Sequence, residues 1–156
     1  MLGGITGQTI KSAIALNIKK NITLRDNKSF KIYKEKTIQN FKRPCFFIWE
    51  MDVGQEKLMG DSYNLTYQMN VRFHPEETAE DLYSYLSQLG IELLESLARL
   101  DVPILVDNET ERTKPVIGKQ MSFNVVDGVL QMYVTYTTKA KKSLAQSPEM
   151  QVLSIT

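Results

Sequence analysis

Cys45 and His74 are the only cysteine and the only histidine in 156 residues. A thiol beside an imidazole is the one pairing available here for nucleophilic catalysis. Cys45 lies in RPCFFIWEM, residues 43–51, with the only tryptophan, Trp49, and the apolar neighbours Phe46, Phe47 and Ile48. Burial among such neighbours raises a thiol's pKa and makes it inert, so these residue types predict a strand cysteine. His74 closes a neighbouring run just before Pro75, where a surface turn residue is expected. No second histidine or cysteine is present to complete a metal site with it. Glu76, Glu77, Glu80 and Asp81 are the other cluster with chemical potential, as paired carboxylates or a cation site. Acids also complement the dipole at a helix N-terminus, and that is the expected role. Gly3, Gly4 and Gly7 lack the strand–loop–helix setting of a phosphate loop. Tyr33 among the lysines of KIYKEK reads as alternation in a half-exposed strand. The expectation is therefore no catalytic residue, no cofactor and no metal.

These groups must be positioned by elements that the periodicity reveals. Ile10, Ile14 and Ile18, with Ala13, predict a helix over 8–20, and Lys19 and Lys20 suit its C-terminus. A turn around Asn27 leads into a short strand, Phe30–Glu35. Pro44 opens the strand holding Cys45, since proline needs no ladder donor at a first position. Val53–Gly60 reads as a connection. From Tyr63 to His74, Tyr63, Leu65, Tyr67, Met69, Val71 and Phe73 alternate with Asn64, Thr66, Gln68, Asn70, Arg72 and His74. That period of two predicts a strand over Ser62–His74 with one buried face, the other being wet or covered by another polypeptide. The tentative interface is accordingly Asn64, Thr66, Gln68, Asn70 and Arg72.

Pro75 should stop that strand and Thr78 cap a helix whose stripe is Leu82, Leu86, Leu89, Leu93 and Leu97. Gly90 costs roughly 1 kcal/mol of helix propensity, so a bend or early end is expected there. Residues 101–117, with Pro103, Pro115 and a polar centre, carry no readable element. Met121–Val126 and Val129–Thr137 should form a hairpin over Asp127-Gly128, a pair suited to a type I′ turn. Short connections favour antiparallel pairing. The fold class expected is α+β: a mostly antiparallel sheet with two helices packed on one face.

Composition fits one such domain, assigned to residues 1–142, with 143–156 as a flexible extension or interaction arm. The chain is 42% hydrophobic and 24% charged, with a formal net charge of +1. That excludes a disordered chain and argues against a general nucleic-acid binder. One cysteine forms no internal disulfide, which fits a reducing compartment. No signal peptide and no run of apolar residues long enough to span a membrane are visible, so a soluble protein made in the cytoplasm is expected. Charge is segregated, however. Residues 1–43 carry ten Lys/Arg against Asp26 and Glu35, while residues 44–112 carry fourteen acids against four bases. Unlike surfaces of this kind can meet between copies or partners.

Three segments together resemble the phage tail terminator family of Gram-positive phages, defective prophages and phage-tail-like particles. They are IYKEKTIQNFKRPCFFI (32–48), the alternating strand ending VRFHPEE, and MSFNVVDGVLQMYVTY (121–136), in the family's order and spacing over roughly residues 8 to 138. Pro44, Cys45, Phe46 and Phe47, with Asp127 and Gly128, match its structural signature. Asn40 stands where the family often has glycine, and asparagine tolerates the left-handed conformation such a turn needs. The resemblance implies a tail-terminator-like fold and a structural protein of the virion tail. It further implies a homo-oligomeric, commonly hexameric ring at the head-proximal end of the tail tube. There the ring would stop tube growth and dock the neck or head–tail connector protein. The implied partners are other copies of itself, the tube protein, the neck protein and, in contractile particles, the sheath. DNA would only pass through the lumen, no membrane would be involved, and assembly would take place in the bacterial host cytoplasm. The alternatives are another neck or head–tail connector completion protein and, from other classes, a small cysteine- or cation-dependent enzyme or a nucleic-acid-binding module.

Overall fold

In the computed structural model, residues 5–35, 39–76, 81–106 and 110–141 are described. Helix α1 spans Gly7–Asn21. The hydroxyl of Thr6 accepts from the Thr9 backbone N–H at 3.2 Å, and the Thr9 hydroxyl accepts from that of Thr6 at 2.8 Å. This reciprocal cap satisfies two otherwise orphaned donors. Ile10, Ile14 and Ile18 are fully buried, as their spacing predicts. A single 3₁₀ turn, Arg25–Asn27, then reverses the chain, with Asp26 and Asn27 both at positive φ.

Six strands form one sheet in the order β1-β2-β3-β6-β5-β4. They are β1 (Lys31–Tyr33), β2 (Cys45–Lys57), β3 (Ser62–His74), β4 (Arg99–Val106), β5 (Thr110–Val126) and β6 (Val129–Lys141). All neighbours pair antiparallel except β1 and β2, which run parallel. Helix α2, Leu82–Leu97, follows β3. Phe46, Ile48, Met69, Val71, Phe73, Leu130, Met132, Val134 and Tyr136 line one face of the sheet. They share one core with the buried stripes of α1 and α2. This is the α+β architecture expected, with both helices on the same face.

Gly90 does not end α2, which runs through to Leu97. A Cβ at Gly90 would stand 2.7 Å from ring carbons of Phe123 on β5. Close approach of helix to sheet explains this glycine better than a bend does. Asn40 has φ 56°, the left-handed conformation its type allows. Thr78 lies outside the described residues, and Asp81 at the N-cap of α2 makes no side-chain capping bond.

Two stretches expected to be irregular are strands. β2 continues to Lys57, leaving residues 58–61 as the connection. Residues 99–126 hold β4 and β5, which form a hairpin. The Gly118 N–H donates to the Ala98 carbonyl at 2.7 Å. With Arg99 opposite Ile117, that bond makes 99/117, and every second pair after it, the non-hydrogen-bonded kind. Pro103 and Pro115, opposite Thr113 and Asp101, both fall in this class. Their donor-less nitrogens therefore face outward, and the ladder between the strands is intact. The pairing of β5 passes from β4 to β6 at Gly118, and its register with β6 shifts between Lys119 and Ser122, where Gln120 has φ 51°. The outer half of β4–β5 is thus a two-stranded arm beyond the main sheet.

Candidate functional site

The face of the sheet away from the helices carries the expected interface. Cys45 and His74 are direct cross-strand partners on it, at the first position of β2 and the last of β3. The juxtaposition needed for a thiol–imidazole pair therefore exists, but its electrostatics oppose catalysis. Burial pushes the Cys45 thiol up to about 11, and Arg43 only partly offsets this. Burial, reinforced by the positive charges of Arg43 and Arg72, lowers His74 to about 4. A thiolate–imidazolium pair needs the opposite shifts, a lowered thiol and a raised imidazole. The Nδ1 atom of His74 is buried without a hydrogen-bond partner among the described residues.

Aromatic rings seal this corner. Phe41 meets Phe47 edge to face with centroids 5.1 Å apart and His74 at a tilt at 4.8 Å, and Tyr33 stacks on Phe47 at 5.1 Å. The Tyr33 hydroxyl accepts from the Lys42 backbone N–H at 3.2 Å, tying the loop before Pro44 to β1. Thus Cys45 and Phe47 are buried although they point away from the helices. In the folded protein at pH 8, Cys45 is expected to react with a thiol reagent at least tenfold more slowly than in the denatured chain. Equal rates would show that the seal is absent. Protonating His74 opposes folding, so stability should fall as pH drops from about 6.5 towards about 4. A melting series should lose part of that slope in His74→Phe. An unchanged slope would place the dependence on other groups.

Further along this face, Trp49, Glu50, Met51, Asn70, Arg72, Gln131 and Tyr133 line an open hollow of about 370 Å³. The Arg72 guanidinium stands 4.7 Å from the centre of the Trp49 ring. Asn70, only 1% exposed, donates through Nδ2 to the Met132 carbonyl at 3.2 Å, and its Oδ1 has no partner among the described residues. Of the five interface candidates, Gln68 is exposed and Asn64, Thr66 and Arg72 are half-buried. Asn70 therefore braces β3 against β6 more than it offers a surface. Thr66 lies 3.4 Å, oxygen to oxygen, from Thr137.

Two members of the acidic cluster make ion pairs, and one of them, Asp81, also stands at the N-cap of α2. Asp81 pairs with Arg25 at 2.8 Å and Glu76 with Lys28 at 2.6 Å, across a second hollow beside Tyr85 and Pro44. Glu77 and Glu80 lie outside the described residues. Part of the segregated charge is thus neutralised within one chain. Among the described residues no His, Cys, Asp and Glu group is placed to hold a metal ion. No helix described is long and apolar enough to cross a membrane.

What sequence reasoning missed is the outer part of β2 and its neighbour. Every side chain from Glu50 to Lys57 is exposed, and β1 covers the β2 edge only at Cys45–Phe47. Beyond that, over about ten residues, no described strand pairs with this edge. No apolar period marks this stretch, because its residues from Glu50 to Lys57 are exposed. The model of a family described as phage tail terminator protein matches residues 9–148, nearly the whole described fold. No curated protein matches the chain.

Proposed function

The chain belongs to the phage tail terminator family, and from that premise we propose that it forms a ring on the head-proximal end of the tail tube. The ring, a hexamer matched to the tube, halts tube growth and presents a surface to the neck or head–tail connector protein. In contractile particles it also meets the sheath. DNA passes through its lumen without specific contact. The protein acts through surfaces and performs no catalysis, as the raised thiol and lowered imidazole at Cys45 and His74 favour.

The observation that carries this reading is the family match over the fold that builds the uncovered face. A sheet with helices on one side only leaves the other face and its outer strands for partners. The unlike ends of the sheet suit a head-to-tail ring, which joins two different surfaces and closes by rotation.

The test is a polymerisation assay with the purified tube protein of the same particle. Adding this protein should arrest tube elongation, with the ring seen at one end by electron microscopy. Elongation unaffected by a stoichiometric excess would contradict tube capping. Binding to isolated connector protein without binding to tube would favour the neck completion reading.

A further inference from the structure

Beyond Phe47 the edge of β2 has no partner strand among the described residues. No proline interrupts it, whereas Pro103 removes an outward donor from β4 at the opposite edge of the sheet. A long edge left unblocked is a template for another strand. The helix-side face of the ribbon is also incomplete there. Val53, opposite the buried Tyr67, is 43% exposed, and Leu65 beside it is only half-buried.

The chain itself holds a segment that fits this edge. β2 and β6 both pair antiparallel with β3, so they run the same way. They end together, Lys57 opposite Tyr63 and Lys141 opposite Ser62. Residues 142–156, outside the described residues, therefore set out three strand spacings, about 14 Å, from a place beside β2. Residues 142–148 span about 23 Å when extended, enough to cross the end of the ribbon. EMQVLSIT, residues 149–156, then has the composition of a strand. Val152, Ile155 and Thr156 favour that conformation, and residues 150–156 contain no charge, glycine or proline.

We infer that residues 149–156 fold back as an antiparallel strand on the Glu50–Lys57 edge of β2 in the same chain. The order of strands becomes segment-β2-β3-β6, the spatial order of a Greek key, in which the last strand returns beside the first. In the register that completes the apolar face, Leu153 and Ile155 lie beside Val53, and Ser154 and Thr156 lie beside Asp52. Tethering selects this chain's own segment over a second copy's. A short connection gives it an effective concentration in the millimolar range. The strand guards the edge, so free subunits do not pair edge to edge, and both faces of the ribbon stay open to partners. The contact is intramolecular and holds whether or not a ring forms.

Hydrogen exchange read by mass spectrometry tests this on the full chain. The variant carries Val152→Pro and Leu153→Pro, since two adjacent prolines remove a donor at each parity of a ladder. Amides of Glu50–Lys57 should exchange about tenfold or more faster in the variant than in the wild type. Those of β3 and β6 between Met69 and Val134 should exchange alike in both, which shows that the variant is folded. Equal exchange over Glu50–Lys57 would overturn the inference. In an equimolar mixture refolded together, with the variant labelled in nitrogen-15, the wild-type edge should stay protected and the variant edge open. Two exchange populations in each chain would put one copy's segment on another's edge, and would overturn the intramolecular contact. The variant should also self-associate at concentrations where the wild type does not. An opened edge without that association would overturn the guarding role.

Discussion

Replacing Tyr136 with alanine should lower stability by about 3–5 kcal/mol, which at the weaker end of domain stabilities unfolds the protein. Tyr136 is fully buried at the centre of β6. Its hydroxyl donates to the Leu97 carbonyl at 2.6 Å, at the last residue of α2. Burial holds that hydroxyl well above the ordinary tyrosine range, so it is a neutral donor at any working pH. Alanine leaves a cavity between sheet and helix and an unmet carbonyl. Tyr136→Phe keeps the ring and loses only the bond, at a cost of about 1–3 kcal/mol. Thermal melts of the two variants separate the contributions. Equal melting points for Tyr136→Ala and Tyr136→Phe would mean that the ring packs less tightly than its burial shows.

Gly128→Val should cost about 2 kcal/mol or more, through backbone strain alone. Asp127 and Gly128 both have positive φ, 52° and 73°, as a type I′ turn requires. A Cβ at Gly128 would meet only Leu82 Cδ2, at an ordinary 3.6 Å, so crowding is not the cause. A β-branched residue is a steric outlier in this region, whereas asparagine visits it. Gly128→Asn should therefore retain most of the stability that Gly128→Val loses. A melt in which valine and asparagine behave alike would place the sensitivity elsewhere in the β5–β6 hairpin.

Elements that bury one face against the helices were legible from residue types alone. The period-two run of β3 gave its bounds, Ser62–His74, and the Ile10–Ile18 and Leu82–Leu97 stripes gave the two helices. The Asp127-Gly128 turn followed from its demand for positive φ. The outer half of β2 and the β4–β5 arm were not legible, for one shared reason. Every residue of β2 from Glu50 on is exposed, and in the arm the buried positions Leu100, Val102 and Val116 are too few and too interrupted by Pro103 and Pro115 to show a period. Pro103 and Pro115 read as breakers. Only the ladder shows that they occupy positions needing no donor.

At the candidate site, legibility divided along the same line. The inertness of Cys45 was readable from its apolar neighbours, but its direct pairing with His74 came from strand register. Asn70 was assigned outward by alternation, and it does share that face. Its burial comes from the hollow formed with Trp49, Arg72 and Tyr133, a tertiary property that no local pattern encodes.

Tail termination is the claim on which the functional account stands, and tail length measures it most directly. The gene should be deleted in the parent phage or particle-forming element, and the tails measured by electron microscopy. The account predicts tails or tubes of uncontrolled length that fail to join heads, with normal length restored by the intact gene. Deletion particles whose tails keep their normal length and attach to capsids would contradict it.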